Sequence, residues 1–365
     1  MLKIVNVVGT RPNFVKIAPL VREMDKHPEI RHLLVHTGQH YDAAMSRLFF
    51  DDLNIPKPDI NLGVGSDSDV RQTGKIMLAF EKILLKEKPN LVIVVGDVNS
   101  TFAAAITAKK CGVKVAHVEA GLRSFDMDMP EEINRILTDH VSDFLFTTEE
   151  SGNKNLINEG ISKDKISFVG NVMIDTLLLH REKSKGSKIL SKLKLGKKNY
   201  AVLTLHRPSN VDDKGALIYV LDILNKIQQK IKIVFPIHPR TLKNIKKFGL
   251  NDRIKKLKNL MLTEPLGYLD FLCMMDNSKF VITDSGGIQE ETTILGVPCI
   301  TLRNNTERPV TVEHGSNIIV STDKGKIMKA AFKAIKGIKV NSRIPTLWDG
   351  NASKRIIAAL LGKLK

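Results

Sequence analysis

The chain has few cysteines and few aromatic side chains. Its 365 residues include three cysteines, and Phe, Trp and Tyr together make up 5% of the sequence. The cysteines lie far apart without a CxxC pair, which favours free thiols in a reducing compartment over a disulfide framework. Because 42% of the residues are nevertheless hydrophobic, aliphatic side chains must build the cores, as is typical of α/β layers.

Several signatures of membrane proteins and cofactor-binding proteins are missing. No apolar run approaches the ~20 residues needed to cross a bilayer, and nothing before the first strand resembles a signal peptide. The loop after that strand has a proline where a GxGxxG dinucleotide loop has glycines. There is no GxSxG nucleophile elbow, and no histidine has metal-ligand spacing to cysteine or aspartate. The sequence predicts a cytoplasmic protein without a membrane segment, a metal site or a cofactor.

The net charge of +17 is unevenly distributed. Residues 1–170 contain 21 of the 56 Lys and Arg and 23 of the 39 Asp and Glu, a net of −2, so the remaining residues carry +19. Much of this excess lies in two lysine-rich stretches, 183–198 and 243–258, which lack the interleaved aromatics of a single-strand binder. We interpret them as solvated surface and expect no nucleic-acid partner. A small acidic substrate is compatible with the cationic second half.

Short apolar runs alternate with segments of helical period, which indicates βαβ units and parallel sheets. Strands are predicted at 3–8, 31–37, 90–95, 114–118, 144–147, 166–169, 200–205, 231–237, 260–263, 280–283, 299–302 and 317–320. The pattern predicts an α/β fold of two doubly wound halves, joined by a polar, lysine-rich connection at about 175–199. We place the domains at 1–172 and 173–350, and expect a C-terminal helix at 351–365 to pack back on the first domain.

The clearest candidate site is a DSGG sequence that follows a predicted strand in the second half. Its glycines, Gly286 and Gly287, would let backbone N–H groups approach an anion, and the helix start adds unpaired donors. Ser285 either caps that helix or donates to the anion, and a simple strand-to-helix turn is the alternative. One turn later, Glu290 either accepts from ribose hydroxyls or complements the helix dipole.

Positive side chains follow other predicted strands. Arg11 and Lys16 come after the first strand. Arg308, beside a proline, would clamp phosphate oxygens as a fork, although a lone surface arginine is usually just solvated. His206 and His238 each end a strand, and two histidines at one sheet edge favour anion contact or proton transfer over a purely structural role.

Acidic residues form a separate set at the strand ends of the first half. Asp97 follows strand 90–95, Glu119 follows strand 114–118, and Glu131 lies in the next loop. A single carboxylate in such a place is ordinary as a helix cap or turn residue. Three around one crevice indicate general acid–base chemistry, provided that burial and neighbours separate their pKa values.

Taken together, these segments resemble the non-hydrolysing UDP-N-acetylglucosamine 2-epimerases. The matching motifs run in order along nearly the whole chain: GTRPNFVKIAPL (9–20), TGQHYD (37–42), VVGDVNST (94–101), HVEAGLRS (117–124), MPEEINR (129–135), LTLHRPSNVD (203–212), PIHPRT (236–241), EPLGYLDFL (264–272), TDSGGIQEE (283–291) and NTERPVTVEHGSN (305–317). Any one of these motifs could occur by chance, whereas the ordered set is highly specific.

The resemblance implies a glycosyltransferase-B-type fold, in which two Rossmann-like domains hold the active site in the cleft between them, and a homodimer. It also implies a UDP-sugar substrate whose UDP lies mainly on the second domain. The residues expected to bind substrate are Arg11, Lys16, His238, Pro265, Ser285, Gly286, Gly287, Glu290 and Arg308. The residues expected to be catalytic are Asp97, Glu119, Glu131 and His206.

The implied reaction is reversible epimerisation at C2 of UDP-N-acetylglucosamine to UDP-N-acetylmannosamine. The C2 proton is not next to a carbonyl, so inversion without NAD requires UDP to leave, which gives a 2-acetamidoglucal intermediate, and then to add back. Three alternatives remain: a 2-epimerase for another UDP-2-acetamido sugar, a glycosyltransferase of the same fold, and a basic binding protein. The first-half carboxylates argue against the glycosyltransferase.

The sequence departs from the family pattern at two places. Bacterial members commonly read HRREN where this chain has HRPSN (206–210), and they have a glutamine where this chain has Asp42. Both places are associated in bacterial members with a second, activating substrate molecule. The departures therefore concern regulation by substrate and leave the catalytic residues intact.

Overall fold

The computed structural model describes residues 1–39, 53, 57–338 and 342–364. The chain forms two compact units, one made of Met1–Leu179 with Thr346–Lys365 and the other of His180–Pro345. The first transition therefore falls inside a helix, some way beyond the domain boundary predicted after residue 172.

The described strands of unit 1 form one parallel sheet of seven strands. They are β1 (Leu2–Val8), β2 (Ile30–His36), β3 (Ile60–Asn61), β4 (Leu91–Val95), β5 (Lys114–Ala120), β6 (Phe144–Thr147) and β7 (Ile166–Phe168). Their order across the sheet is β3-β2-β1-β4-β5-β6-β7, which begins like the doubly wound dinucleotide-binding fold. Every residue of β4 is fully buried, as expected for a central strand covered on both faces.

The described strands of unit 2 form a second parallel sheet, with six strands. They are β8 (Tyr200–Thr204), β9 (Lys232–Pro236), β10 (Leu260–Thr263), β11 (Phe280–Thr283), β12 (Cys299–Thr301) and β13 (Asn317–Ile319). The order is β10-β9-β8-β11-β12-β13. The main core of this unit is aliphatic, with two phenylalanines, Phe235 and Phe280, among its fully buried members.

Helices flank both sheets. Those in the described residues are α1 (Arg11–Met24), α2 (Asp69–Glu87), α3 (Asn99–Lys110), α4 (Pro130–Val141), α5 (Glu150–Asn158), α6 (Val172–Ser184), α7 (Ile189–Lys192), α8 (Pro208–Val211), α9 (Lys214–Ile227), α10 (Pro239–Lys247), α11 (Asn251–Lys255), α12 (Tyr268–Asp276), α13 (Gly286–Leu295), α14 (Val310–Glu313), α15 (Lys324–Ile335) and α16 (Ala352–Leu364), and a 3₁₀ turn lies at Lys163–Lys165. Helices between parallel strands are the expected crossover connections.

The predicted fold class, α/β with two Rossmann-like sheets, is confirmed. Each of the twelve predicted strands is present, with both ends within two residues of the prediction. The short strand β3 was not predicted, because two residues are too few to show a period.

The predicted polar connection at 175–199 is wrong in its first part. Residues 172–184 form α6, and this helix buries Ile174 and Leu177 in unit 1. The hydroxyl of Thr176 donates to the carbonyl of Val15 at 2.7 Å. The sequence predicted a linker here because lysines follow the helix, and a charged helix end has a composition similar to that of a solvated loop.

The C-terminal segment belongs to unit 1. Trp348 is 1% exposed and its indole N–H donates to the carbonyl of Thr148 at 2.9 Å. The buried carboxylate of Asp175 accepts from the backbone N–H groups of Ala352 at 3.0 Å and Ser353 at 2.7 Å. These groups are the first unpaired donors of α16, so Asp175 acts as a cap supplied by a distant helix.

Candidate active site

The parallel arrangement brings the carboxyl ends of β1, β4 and β5 to one edge of the first sheet, where ligands bind in open α/β sheets. At the end of β1, the Asn13 side chain accepts from the backbone N–H groups of Gly9 at 3.1 Å and Thr10 at 3.0 Å. Its amide group donates to the carbonyl of Val95 at 2.9 Å. Asn13 thus ties the end of β1 to the end of β4. Arg11, half-buried, is the first residue of α1.

Lys16 and Glu119 form a buried ion pair at this edge. Lys16, on α1, is 6% exposed, Glu119 is 4% exposed, and the lysine Nζ contacts Glu119 Oε2. The pairing of β5 with β6 shifts register between Val118 and Ala120. At this irregularity Glu119 has a φ of 75°, a conformation that costs a non-glycine residue about 1–3 kcal/mol and is found mainly at functional sites.

Gly96 lies directly against this ion pair. It ends β4 with a φ of +73°, and a Cβ there would lie 3.1 Å from Lys16 Nζ and 3.2 Å from Glu119 Oε2. Only glycine combines that backbone conformation with such close packing. The next residue is Asp97, so the same turn that accommodates the ion pair also positions the second predicted carboxylate.

Arg135 of α4 holds Asp97 in place. Its guanidinium donates to Asp97 Oδ2 through Nε at 3.1 Å and NH2 at 2.7 Å, and its NH1 pairs with Glu132. The Glu132 carboxylate, fully buried, accepts in turn from the backbone N–H groups of Ser124 at 2.9 Å and Phe125 at 2.8 Å. Arg135 of α4 thus sets the orientation of Asp97. Glu132 in turn joins Arg135 to the loop after β5.

Glu131 and Glu132 are adjacent but differ in environment. Glu132 is buried among hydrogen-bond donors, whereas Glu131 is half-buried on the first turn of α4. Asn134 of the same helix donates to the backbone carbonyl of Asp97 at 3.0 Å. The start of α4 therefore lies beside the end of β4. The motif MPEEINR did not reveal which of its two glutamates has the structural role, and the structure assigns that role to Glu132.

In unit 2, His206 and Asp284 come together at the ends of β8 and β11. Asp284, fully buried, accepts from the backbone N–H groups of His206 at 3.0 Å and Arg207 at 2.9 Å. The His206 Nδ1 lies 2.9 Å from Asp284 Oδ1. Burial raises the pKa of Asp284, but pairing with His206 and these backbone donors outweigh it and hold the pKa below its ordinary value. An ionised Asp284 fixes Nδ1 as the donor, which makes Nε2 of a neutral ring the basic nitrogen.

His238 lies close to His206, as the two strand ends predicted. Their ring centroids are 5.5 Å apart. His238 is the N-cap of α10, and its Nδ1 accepts from the backbone N–H of Arg240 at 3.2 Å. This hydrogen bond places the proton of a neutral His238 ring on Nε2.

Ser285 precedes α13 without capping it. Its side chain makes no capping hydrogen bond, and its backbone N–H donates to Thr283 Oγ1 at 3.0 Å. Of the two roles predicted for its hydroxyl, capping is wrong. Gly286 and Gly287 are the first residues of α13, where backbone N–H groups lack intrahelical partners and attract anions.

Arg308 lies against the first residue of this helix. A Cβ on Gly286 would lie 2.9 Å from Arg308 NH1 and 2.8 Å from Glu307 Oε1. Glycine at this position therefore makes room for a buried ion pair as well as leaving the helix start accessible. The sequence pattern predicted that Gly286 leaves the helix start accessible. It did not predict the buried ion pair.

Five side chains, four of them buried and Arg207 half-buried, form a buried cationic cluster beside the start of α13. Arg308 is 4% exposed and pairs with Glu290 at 2.6 Å and Glu307 at 2.7 Å. Glu307 also contacts Arg303 at 2.7 Å and Arg207 at 3.8 Å. Burial lowers the pKa of Arg303. Counted over these five side chains alone, three guanidinium groups face two carboxylates, and guanidinium groups held in place beside a helix start suit an anionic ligand.

The loop that contains Pro265 lies between β10 and α12, and Pro265 is exposed. The hydroxyl of Tyr268, the first residue of α12, contacts Glu291 Oε1 at 3.0 Å. Burial raises the pKa of Tyr268 well above its ordinary value, so its hydroxyl donates to the carboxylate. Glu291 thus belongs to the side of α13 that faces this loop, whereas Glu290 belongs to the buried cationic cluster.

Several residues of these sites were not singled out from the sequence. They are Asn13, Glu132, Arg135, Asp284, Arg303 and Glu307. All lie in or beside the matching motifs. The contacts of Asn13 with Val95, of Arg135 with Asp97 and of Asp284 with His206 join distant parts of the chain, so no local spacing marks them. The pairs Glu132–Arg135 and Arg303–Glu307 are three and four residues apart, and this spacing is a local signal in the sequence. Asp42 lies outside the described residues.

Over the described ranges, no cluster of three His, Cys, Asp or Glu side chains has the geometry of a metal site. In the same ranges no helix has the length and hydropathy of a membrane span.

Comparison with known proteins identifies the family. Residues 22–361 match the family described as UDP-N-acetylglucosamine 2-epimerase. A Methanococcus maripaludis protein named UDP-N-acetylglucosamine 2-epimerase homolog is 48% identical over 362 residues, which cover 98% of this chain and 99% of that protein. A Pseudomonas aeruginosa protein named UDP-2,3-diacetamido-2,3-dideoxy-D-glucuronate 2-epimerase is 39% identical over 366 residues, which cover 100% of both chains.

A solved structure resembles the whole chain. The crystal structure of Methanocaldococcus jannaschii UDP-GlcNAc 2-epimerase in complex with UDP-GlcNAc and UDP has a TM-score of 0.93 and 43% identity, and the match covers 99% of this chain and 100% of that one. The chain belongs to the UDP-N-acetylglucosamine 2-epimerase family of isomerases.

Proposed function

We propose that the protein interconverts UDP-N-acetylglucosamine and UDP-N-acetylmannosamine by eliminating UDP and adding it back. The observation that carries this proposal is the buried cationic cluster at the start of α13, in a chain whose family acts on UDP-N-acetylglucosamine. A leaving diphosphate develops negative charge, and preorganised guanidinium and N–H donors stabilise such charge best. The UDP moiety is accordingly assigned to unit 2.

The diphosphate would be bound by the backbone and hydroxyl donors of Ser285, Gly286 and Gly287, with Arg308 supplying charge. The uracil would lie at the Pro265 loop. For the ribose hydroxyls two acceptors are available, Glu290 as predicted and its neighbour Glu291. The hydrogen bond from Tyr268 to Glu291 supports a place for the second carboxylate near the nucleoside.

The chemical step would use the carboxylates of unit 1. A base removes the C2 proton while the bond from C1 to the diphosphate oxygen breaks, giving 2-acetamidoglucal and UDP. A proton then returns to the opposite face of C2 as UDP oxygen attacks C1. Glu119 is the leading candidate for one face, because it is buried, conformationally strained and paired with Lys16, and groups of this kind carry acid–base catalysis.

Asp97, Glu131 and His206 are the other proposed catalytic groups. Arg11, Lys16 and His238 are proposed to contact phosphate or sugar. The position of the site between the two units, the homodimer and the cytoplasmic location stay predictions.

The test is incubation with UDP-N-acetylglucosamine in heavy water, with a chelator and without NAD. NMR should show both epimers with deuterium at C2. Glu119→Gln should lower the exchange rate about 10²–10⁴-fold, the usual contribution of a general acid–base group, while UDP affinity in calorimetry stays close to that of the wild type. Glu150→Gln, at an exposed site at the start of α5, is the matched control. Unlabelled product, or a need for NAD, would refute the elimination route.

A second candidate substrate is a UDP-2,3-diacetamido-uronic acid. The Pseudomonas aeruginosa relative named for that activity is 39% identical over the full length of both chains. Incubating both UDP-sugars with the same enzyme preparation and comparing kcat/KM decides between them. We expect the higher value for UDP-N-acetylglucosamine.

A further inference from the structure

A chain of buried ion pairs lies beneath the ends of β4 and β5. His117 Nδ1 is 2.6 Å from Asp139 Oδ1, and neither side chain is exposed. Arg123 contacts Asp139 Oδ2 through NH1 at 2.7 Å and forms two hydrogen bonds of 2.7 Å with Glu159.

Both ring nitrogens of His117 face acceptors. Nε2 lies 2.8 Å from the backbone carbonyl of Gly96, and a carbonyl oxygen only accepts, so Nε2 carries a hydrogen. Burial raises the pKa of Asp139, but the charges and hydrogen bonds of His117 and Arg123 outweigh it and hold the pKa below its ordinary value. Asp139 Oδ2 also accepts from Arg123 NH1 and from the backbone N–H of Gly121, and these donors favour the ionised carboxylate without His117. An ionised carboxylate only accepts, so Nδ1 carries a hydrogen too. The ring is therefore an imidazolium with both of its donors used.

The two hydrogen bonds hold the two strand ends that bear the proposed catalytic carboxylates. The Gly96 carbonyl belongs to the peptide group that joins Gly96 to Asp97. Gly96 itself packs against the Glu119 carboxylate. At the other end, Asp139 Oδ2 accepts from the backbone N–H of Gly121 at 3.1 Å, two residues beyond Glu119. The network thus fixes the Gly96–Asp97 peptide on the neighbouring strand end and the backbone at Gly121, which follows Glu119.

We infer that His117 is a positioning residue, which as a doubly donating imidazolium fixes the Gly96–Asp97 peptide and, through Asp139, the backbone beyond Glu119. It touches neither substrate nor reacting atoms. Its role rests on the proposed function, because positioning of the carboxylates matters only if they do acid–base work. A displacement of about 1 Å in such groups costs on the order of 10²-fold in rate.

The test compares His117→Gln with His140→Gln. A glutamine can donate to only one of the two acceptors and turns its own carbonyl towards the other, which is unfavourable. His140, on α4, is an exposed histidine whose ring lies 3.9 Å from Glu159, so its replacement is a control for losing a histidine at the edge of the network while both His117 hydrogen bonds remain. We expect His117→Gln to lower kcat for epimerisation on the order of 10²-fold, with KM and the calorimetric affinity for UDP within about twofold, and His140→Gln to match the wild type.

A folded His117→Gln with wild-type kcat overturns the inference, since a merely structural role would lower the melting temperature and leave kcat unchanged. A measurement on the wild-type protein covers the case in which the variant fails to fold. NMR of histidine labelled with ¹⁵N should show both His117 ring nitrogens protonated at pH 7, and a ring with one unprotonated nitrogen overturns the inference. Wild-type protein that binds UDP but does not exchange C2 hydrogen instead refutes the proposed function, and the ring measurement still stands.

Discussion

At the residue scale, the first site depends on two residues with positive φ, a conformation that is ordinary for Gly96 and strained for Glu119. Glu119 has a φ of 75° and Gly96 one of +73°. The Lys16 ammonium group packs against both residues. A residue other than glycine keeps this conformation only where surrounding contacts enforce it. Here the Lys16 ion pair, the strand irregularity after Val118 and the hydrogen bond from His117 do so.

Gly96→Ala should therefore damage catalysis more than stability. The new methyl group would press on Lys16 Nζ and Glu119 Oε2, at 3.1 and 3.2 Å. Gly112 has the same φ of +73°, and a Cβ on it would meet no atom within 4 Å, so Gly112→Ala isolates the backbone cost. Gly112→Ala should lose about 1–2 kcal/mol of unfolding free energy, and Gly96→Ala should lose somewhat more because its methyl group also displaces the ion pair. Only Gly96→Ala should also lower kcat, by roughly tenfold or more.

Urea unfolding and steady-state kinetics measure the two quantities. Equal kcat values for Gly96→Ala and Gly112→Ala would show that the ion pair adapts without loss and would weaken the role given to Glu119.

At the element scale, helix termini carry much of the organisation of both units. The start of α13 is left without a side-chain cap and lies beside the arginine cluster. The start of α16 is instead capped by Asp175 from α6, which also accepts from the Ser353 hydroxyl at 2.7 Å. The start of α13 is thus available to an anion, whereas the start of α16 is occupied by the buried carboxylate of Asp175.

Asp175→Ala should destabilise unit 1 more than an ordinary cap substitution. It would leave the buried donors of Ala352 and Ser353 unsatisfied, at about 1–3 kcal/mol for each group. Asp213 caps α9 at an exposed site by accepting from the Ala216 N–H at 2.7 Å, and Asp213→Ala should cost about 1 kcal/mol. Hydrogen exchange of the α16 amides should rise sharply in the first variant only. Similar losses in both variants would contradict the structural role of Asp175.

At the scale of the whole molecule, the two units carry different parts of the proposed chemistry. Carboxylates dominate the sheet edge of unit 1, and guanidinium groups dominate the start of α13 in unit 2. The charge of the sequence follows the same division, with the excess of Lys and Arg after residue 170. The carboxylates proposed to transfer a proton thus belong to unit 1, and the guanidinium groups proposed to stabilise the leaving diphosphate belong to unit 2.

UDP should stabilise unit 2 more than unit 1. The sequence contains a single tryptophan, Trp348, and it is buried in unit 1, so its fluorescence reports unfolding of that unit, while far-UV circular dichroism reports both. At a UDP concentration of about 100 times Kd, linkage predicts a gain of roughly 2.7 kcal/mol for the unit that binds it. The dichroism midpoint should rise more than the fluorescence midpoint. A larger rise in the fluorescence midpoint would contradict the assignment of UDP to unit 2.

The sequence by itself determined the fold class, the parallel strands and most of the polar residues at their ends. These features are local: a buried strand is a short apolar run, and its carboxyl end is the residue that follows. The prediction that His206 and His238 would meet needed no more than that, since parallel strands end at one edge.

Only the tertiary structure decided what those residues contact. Ser285 leaves its helix uncapped, Glu290 is held by Arg308, and Glu132 rather than Glu131 supports the loop after β5. The ion pair of Lys16 with Glu119 joins residues 103 positions apart, and no periodicity records such a partner. Charge and hydrogen bonding act through space, so the state of a buried group follows from neighbours that the fold brings together.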